Sequence, residues 1–116
     1  MSPDLKKVPA RFYRSSSGRE PVREWLKALD SGDRQAIGQD IATVEYGWPV
    51  GMPVCRPLGA GLWEVRSTLP SHRIARVMFM LAQGHLVLLH GFIKKTQETP
   101  KVEMAIARQR MREVLS

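Results

Sequence analysis

The sequence is poor in cysteine, in acidic side chains and in long apolar runs. Its single cysteine, Cys55, excludes an internal disulfide, and no neighbouring cysteines or histidines give it the spacing of a zinc site. No apolar run approaches the roughly 20 residues of a membrane-spanning helix, and the N-terminal segment lacks the apolar core of a signal peptide. We therefore expect a cytoplasmic protein with no membrane partner, no metal and no small-molecule cofactor.

Positive charge is what the chain has in excess. Its 116 residues include 18 Lys and Arg against 11 Asp and Glu, a net charge of +7. Residues 59–116 hold nine of the basic residues and only four of the acidic ones. A small basic protein of this kind typically binds an anionic polymer or an acidic protein partner. Solubility alone is the alternative explanation.

The apolar pattern predicts one domain, residues 1–116, of the α+β class. Pro21 is placed to open a first helix, and a second helix follows the break at 30–33. Residues 49–61 are rich in proline and glycine and predict a loop. Strands are expected at 8–14, 62–69, 72–82 and 85–95, and a last helix from Pro100 to about Val114. The order β-α-α-β-β-β-α predicts a small antiparallel sheet, with the helical hairpin on one face and a C-terminal helix.

Basic residues lie near the ends of the last two predicted strands. A two-residue turn between these strands predicts that Arg73 lies opposite Lys94, with Lys95 beside it. A three-residue turn would instead bring Arg76 opposite His90. Like charges that face each other destabilise a strand pair, and such a conflict is typical of a functional site, here one for an anion such as phosphate. Screening by water at the strand ends is the alternative.

Three segments carry a resemblance to a known family. They are LWEVR at 62–66, HRI at 72–74, and GFIKKTQETPKVE at 91–103. Together they resemble the RelE/HigB-type toxins of bacterial type II toxin–antitoxin modules, in the branch of phage-derived host-inhibition toxins. The resemblance covers residues 57–110. It implies a RelE-like fold, cleavage of mRNA at the ribosome, and a cognate helix-turn-helix antitoxin that binds and silences the toxin.

The resemblance also matches individual residues to a metal-free ribonuclease. RNA supplies its own nucleophile, the 2′-hydroxyl, so the protein must hold the phosphate, stabilise its developing charge and move protons. We predict five side chains in catalysis: Arg66, Arg73, Lys94, Lys95 and His90. We predict three further contacts to RNA: Arg76, His72 and Lys101. We predict that Glu64 orients Arg66.

The proton carriers are less defined than the phosphate ligands. His90 and His72 are candidate bases because histidine titrates near neutral pH. Each has a structural alternative, and His90, which interrupts an apolar strand, fits a hydrogen-bonded core residue. His72 stands where the resembled branch often has tyrosine; an aromatic there could stack on a base, and histidine, which stacks less well, is a candidate proton carrier instead. The function also has an alternative, a non-catalytic RNA- or ribosome-binding inhibitor, because the same basic face would serve either activity.

Overall fold

The computed structural model describes residues 6–94 and 100–116. Its elements are β1 (Ala10–Phe12), α1 (Pro21–Lys27), α2 (Ser31–Gly47), β2 (Cys55–Gly59), β3 (Leu62–Thr68), β4 (Ile74–Ala82), β5 (His85–Lys94) and α3 (Lys101–Leu115). The strands form one sheet in the order β1-β5-β4-β3-β2. The predicted α+β class, with its helical hairpin and C-terminal helix, is confirmed.

The helical hairpin of α1 and α2 covers one face of the sheet. Pro21 occupies the start of α1, where its missing N–H costs no helical hydrogen bond. The buried side chains of this layer include Val22, Ile37, Ile41 and Val44, which pack with the strand residues Val65, Val77 and Phe79. None of the three helices in the described residues combines the length and the apolar character that crossing a bilayer requires.

The sheet differs from the predicted one in two ways. It is mixed rather than antiparallel, because β1 pairs in parallel with β5 at one edge. The other edge carries a strand that the sequence did not predict: Cys55–Gly59, within the expected loop, pairs antiparallel with β3. Pro57 has no N–H to donate to a neighbouring strand. It is tolerated in β2 because an edge strand needs hydrogen bonds on one side only.

The β4–β5 hairpin keeps the predicted pairing at its turn and loses it further along. A bulge between Met78 and Phe79 inserts one extra residue of β5 into the ladder. Beyond the bulge Lys94 lies opposite Ile74, so the predicted pairing with Arg73 is wrong. A bulge changes register without any change at the turn, which is why the turn residues did not reveal it.

Helix α3 covers part of the second face of the sheet. Ala107 and Met111 pack there with Leu62, Met78 and Met80. The guanidinium of Arg108 donates to the Leu58 carbonyl at 3.1 Å, which anchors α3 to β2. Leu115, at the end of this helix, is 69% exposed. Arg66 and Thr68, on the same face, remain exposed, so α3 leaves that end of the face open.

Candidate active site

The pairing of four strands determines which side chains share the open end of this face. Directly paired residues of antiparallel strands place their side chains on the same side. One row runs across the sheet as Arg56, Glu64, Met78 and His90. The next row is Arg66, Arg76 and Phe92, and the row beyond it is Thr68, Ile74 and Lys94. We call the four cations of these rows the basic face: Arg56, Arg66, Arg76 and Lys94.

Glu64 is the buried carboxylate at the centre of the basic face. It is 1% exposed and forms ion pairs with Arg76 and with Arg56, the latter at 2.8 Å. The sequence predicted that Glu64 orients Arg66, but the arginines it holds are these two. The reason is position: Arg56 lies directly opposite Glu64 on β2, a strand that the sequence did not predict.

Two arginines face each other next to this carboxylate. Arg66 on β3 is paired directly with Arg76 on β4. Because the Arg66 N–H donates to Val54 on the opposite side, this is the non-hydrogen-bonded kind of pair, in which side chains approach more closely. Burial lowers the pKa of Arg76, with Glu64 opposing and Arg66 adding to the effect. The site therefore concentrates positive charge at a cost in stability, and an anion would relieve that cost.

The charges of the arginines and of Glu64 also act on Lys94. Burial lowers the pKa of its ammonium group, and the charges of Arg76 and Arg56 lower it further while Glu64 opposes them. A lysine with a lowered pKa gives up its proton more readily than an ordinary surface lysine. Lys94 can thus serve both as a phosphate ligand and as a proton donor.

A cleft of about 70 Å³ opens among these side chains. It is lined by Met52, Pro53, Arg56, Glu64, Arg66 and Arg76. Within the described residues, Arg76 Nε is a buried donor without a hydrogen-bond partner and Glu64 Oε2 is a buried acceptor without one. Buried polar atoms in this condition are uncommon. Three arginines and one carboxylate line the cleft, so it suits a small anion such as one phosphate, which can accept a hydrogen bond from Arg76 Nε.

His90 lies at the α3 end of the same face, in a hydrogen-bonded chain. Its Nε2 is 2.9 Å from the Glu103 carboxylate, and its ring stacks on Phe92 at 5.7 Å. Arg110 donates to the Leu89 carbonyl at 2.8 Å and lies 3.4 Å from His90 Nδ1. Because a guanidinium only donates, Nδ1 accepts. This arrangement selects the tautomer in which Nε2 carries the hydrogen and donates to Glu103.

Arg73 is not part of the basic face. Its guanidinium bonds the Asp33 carboxylate of α2 at 3.1 Å and the Ser71 hydroxyl at 3.1 Å. Burial alone would raise the pKa of Asp33, but hydrogen bonds from Ser71 and Arg73 bring it below its usual value. The predicted grouping of Arg73 with Lys94 is therefore wrong. The arginine joins the turn before β4 to the helical hairpin.

The other predicted contacts are dispersed. His72 is exposed in the turn before β4, with a positive φ of 64°. Lys101 is exposed at the first position of α3, two residues before Glu103. Lys95 lies outside the described residues. Arg76, predicted as an RNA contact, lies opposite Phe92 rather than His90, and it is 3% exposed.

Two residues of the site were missed by sequence reasoning. Arg56 was assigned to a loop, although Pro57 followed by the glycine-rich turn at 59–61 is compatible with an edge strand. Arg110 was placed on α3 without a partner, and no local pattern indicates its contact with His90. No three His, Cys, Asp or Glu side chains of the described residues lie together as a metal site would require; the metal-free mechanism stays a prediction.

Comparison with known proteins assigns the chain to a family. The family model described as Phage derived protein Gp49-like (DUF891) matches residues 24–112. This span includes both helices of the hairpin in large part, four of the five strands, and most of α3. A comparison with curated proteins finds no match to the sequence. Because the family model covers most of its length, the chain belongs to the phage-derived Gp49-like family, which is toxin-like.

Proposed function

We propose that this protein is the toxin of a type II toxin–antitoxin module of the RelE/HigB type, acting as a metal-independent endoribonuclease on ribosome-bound mRNA. One observation carries the proposal: Arg56, Arg66, Arg76 and Lys94 share one open sheet face around a single buried carboxylate. The toxin-like family independently supports the first part of the proposal, that the protein is a toxin.

The proposed reaction needs no external nucleophile. The 2′-oxygen of the RNA attacks the adjacent phosphorus, so that one P–O bond forms while the bond to the 5′-oxygen of the next nucleotide breaks. The products are a 2′,3′-cyclic phosphate and a free 5′-hydroxyl. The proton released from the 2′-hydroxyl goes to a base, and the leaving oxygen receives a proton from an acid.

The residues of the basic face fit the charge requirements of this reaction. Arg66 is exposed beside the cleft, so it can approach a non-bridging oxygen of the phosphate. Arg56 and Arg76, held by Glu64, supply fixed positive charge where negative charge develops in the transition state. Lys94, whose pKa is lowered, is the proposed acid that protonates the leaving oxygen.

The proposed base is the His90–Glu103 pair. Both side chains are partly exposed, at 14% and 23%, so a 2′-hydroxyl can approach them. The hydrogen bond to Glu103 fixes the ring on one side and Arg110 contacts it on the other. Because Nε2 of His90 carries a hydrogen and Nδ1 accepts from Arg110, the Glu103 carboxylate is the member of the pair that takes the 2′-hydroxyl proton, which leaves the basic face free to act on the phosphate alone.

The proposed partners follow from the same surface. The mRNA backbone and ribosomal RNA are polyanions, which a concentrated basic face attracts. A cognate helix-turn-helix antitoxin would silence the protein by covering this face with acidic side chains. Such a partner would satisfy the like-charged pair Arg66–Arg76 in the way that a phosphate does.

Primer extension on translated mRNA tests the proposal. Induction of the protein should create discrete new 5′ ends inside codons, and Arg66→Ala should remove them while ribosome co-sedimentation persists. Arg23→Ala is the matched control, because Arg23 is exposed on α1 away from the basic face. Intact message under full induction would contradict the nuclease.

A second function, inhibition by binding alone, is favoured by one observation. His90 Nε2 is occupied by Glu103, and Arg76 is occupied by Glu64, so two candidate reacting groups already have partners. Arrested translation with uncut message would support this binder. If Arg66→Ala then lost both the arrest of translation and the binding to ribosomes, the basic face would be identified as the docking surface.

A further inference from the structure

A second, larger depression adjoins the basic face. It has a volume of about 510 Å³ and is lined by Asp40, Pro53, Val54, Arg66 and Thr68. Pockets that bind small molecules span roughly 300–1,000 Å³, so one nucleoside fits. Arg66 lines both this groove and the small cleft. A ligand whose phosphate occupies the cleft would therefore extend into the groove along the Arg66 side chain.

The groove exists because β2 begins too late to cover all of β3. The pairing of the two strands starts at Cys55 and Val65, and the Arg66 N–H then donates to the Val54 carbonyl. Main-chain groups alternate in direction along a strand. The N–H and C=O of Thr68 therefore point to the same side as those of Arg66, beyond the start of β2. No residue of 6–94 or 100–116 pairs with that edge at Thr68, so it offers a fixed donor and acceptor, with the Thr68 hydroxyl beside them.

Asp40 gives the groove a charge opposite to that of the basic face. It is partly exposed on α2 and is the one acidic residue of the lining, as Arg66 is the one basic residue. A carboxylate only accepts hydrogen bonds and is unsuited to a phosphate. Its presence next to a phosphate-sized cleft indicates contact with a part of the nucleotide that donates hydrogen bonds, either the ribose hydroxyls or the base, and the volume of the groove is large enough to admit the base.

We propose that this groove is a nucleoside subsite and that Asp40 selects guanine. The inference rests on the proposed function, because it takes the ligand of the basic face to be RNA. Guanine presents two adjacent donors on its pairing edge, N1–H and the 2-amino group, which the two oxygens of one carboxylate accept together. Unpaired RNA bases are read by such contacts to their edges.

The other three bases match Asp40 less well. Adenine and cytosine each place an accepting ring nitrogen beside the amino donor, and a carboxylate repels that lone pair. Uracil has one N–H between two carbonyl oxygens, which are repelled in the same way. A good bidentate contact discriminates enough to predict about a tenfold preference for guanine.

Equilibrium binding to the purified full chain tests the subsite without requiring catalysis. The four nucleoside monophosphates, each as the 3′- and the 5′-phosphate, are titrated while the amide signals of Arg66 and Thr68 are followed by NMR. Guanosine monophosphate should bind about tenfold more tightly than the other three in at least one series. Asp40→Asn should abolish that ratio, because an amide no longer accepts two hydrogen bonds.

The control is Asp30→Asn, since Asp30 is exposed just before α2 and does not line the groove; it should keep the ratio. Equal affinities for all four bases in the unchanged protein would overturn the subsite, and so would a guanine preference that survives Asp40→Asn. These results are separable from a failure of the nuclease. Guanine preference without cleavage of mRNA would support the nucleoside subsite and contradict the endoribonuclease activity. Cleavage without base preference would support the endoribonuclease activity and contradict the subsite.

Discussion

At the scale of single residues, Glu64 is the carboxylate that holds two arginines of the site. It is a carboxylate with 1% exposure that is shared between Arg56 and Arg76. A buried charge is tolerated when it is paired, and removing one member leaves the other uncompensated. The basic face can therefore include the buried Arg76 only because Glu64 is there to hold it.

Replacing Glu64 with alanine should lower the free energy of unfolding by about 3–5 kcal/mol, because Arg76 would remain buried without its partner. Urea denaturation followed by circular dichroism measures the change. Glu24→Ala is the control: its ion pair with Arg19 is exposed on both sides, so its loss should lower the free energy of unfolding far less. Equal, small losses in both variants would show that Glu64 does not support the arginines.

At the scale of secondary-structure elements, the contact between α1 and β5 depends on one glycine. A Cβ atom added to Gly91 would overlap the ring of Trp25. The absence of a side chain at this position therefore lets the indole of α1 lie directly on the strand. Gly91 stands one residue after His90, so the packing on one face of β5 fixes the position of a site residue on the other.

Gly91→Ala should destabilise the protein by about 1–3 kcal/mol, the usual cost of forcing extra volume into a packed core. Thermal unfolding measures it. Gly38→Ala is the matched control, since a Cβ at Gly38 on α2 meets nothing within 4 Å. A helical glycine of this kind gains up to about 1 kcal/mol on replacement by alanine. An unchanged melting temperature for Gly91→Ala would mean that α1 shifts freely on the sheet.

Helices could be predicted from the sequence, whereas the pairing of the strands could be predicted only in part. The helices were predictable because their apolar residues recur at helical spacing, and Val22, Ile37 and Val44 are buried as that spacing requires. The bulge in β5 and the parallel pairing of β1 depend on contacts between distant segments. Neither leaves a local pattern. The basic face was accordingly predicted in part: the predicted residues Arg66, Arg76 and Lys94 are members, Arg73 is not, and Arg56 was missed.

At the scale of the whole molecule, positive charge is unevenly distributed. The net charge is +7, and four cations with one carboxylate lie on the open end of one sheet face. A surface of this kind binds a polyanion by releasing its counterions, so affinity falls as salt concentration rises. The number of phosphate contacts can therefore be counted from the salt dependence.

The logarithm of the affinity for single-stranded RNA should fall linearly with the logarithm of the salt concentration, by about 0.7 per phosphate contact. Fluorescence anisotropy between about 50 and 200 mM salt measures this slope. Arg66→Ala should reduce it by about one contact, whereas Arg23→Ala, which alters charge by the same amount on α1, should leave it nearly unchanged. Identical slopes in both variants would indicate attraction by net charge alone.

The one thiol of the chain gives the molecule a built-in reporter. Cys55 is fully buried at the start of β2, and burial raises the pKa of its thiol to about 11. At neutral pH it is therefore both shielded and protonated, and an alkylating reagent can modify it only when the β2 edge detaches from β3. The rate of alkylation in the native protein consequently measures how often the strand that carries Arg56 opens, without an engineered label.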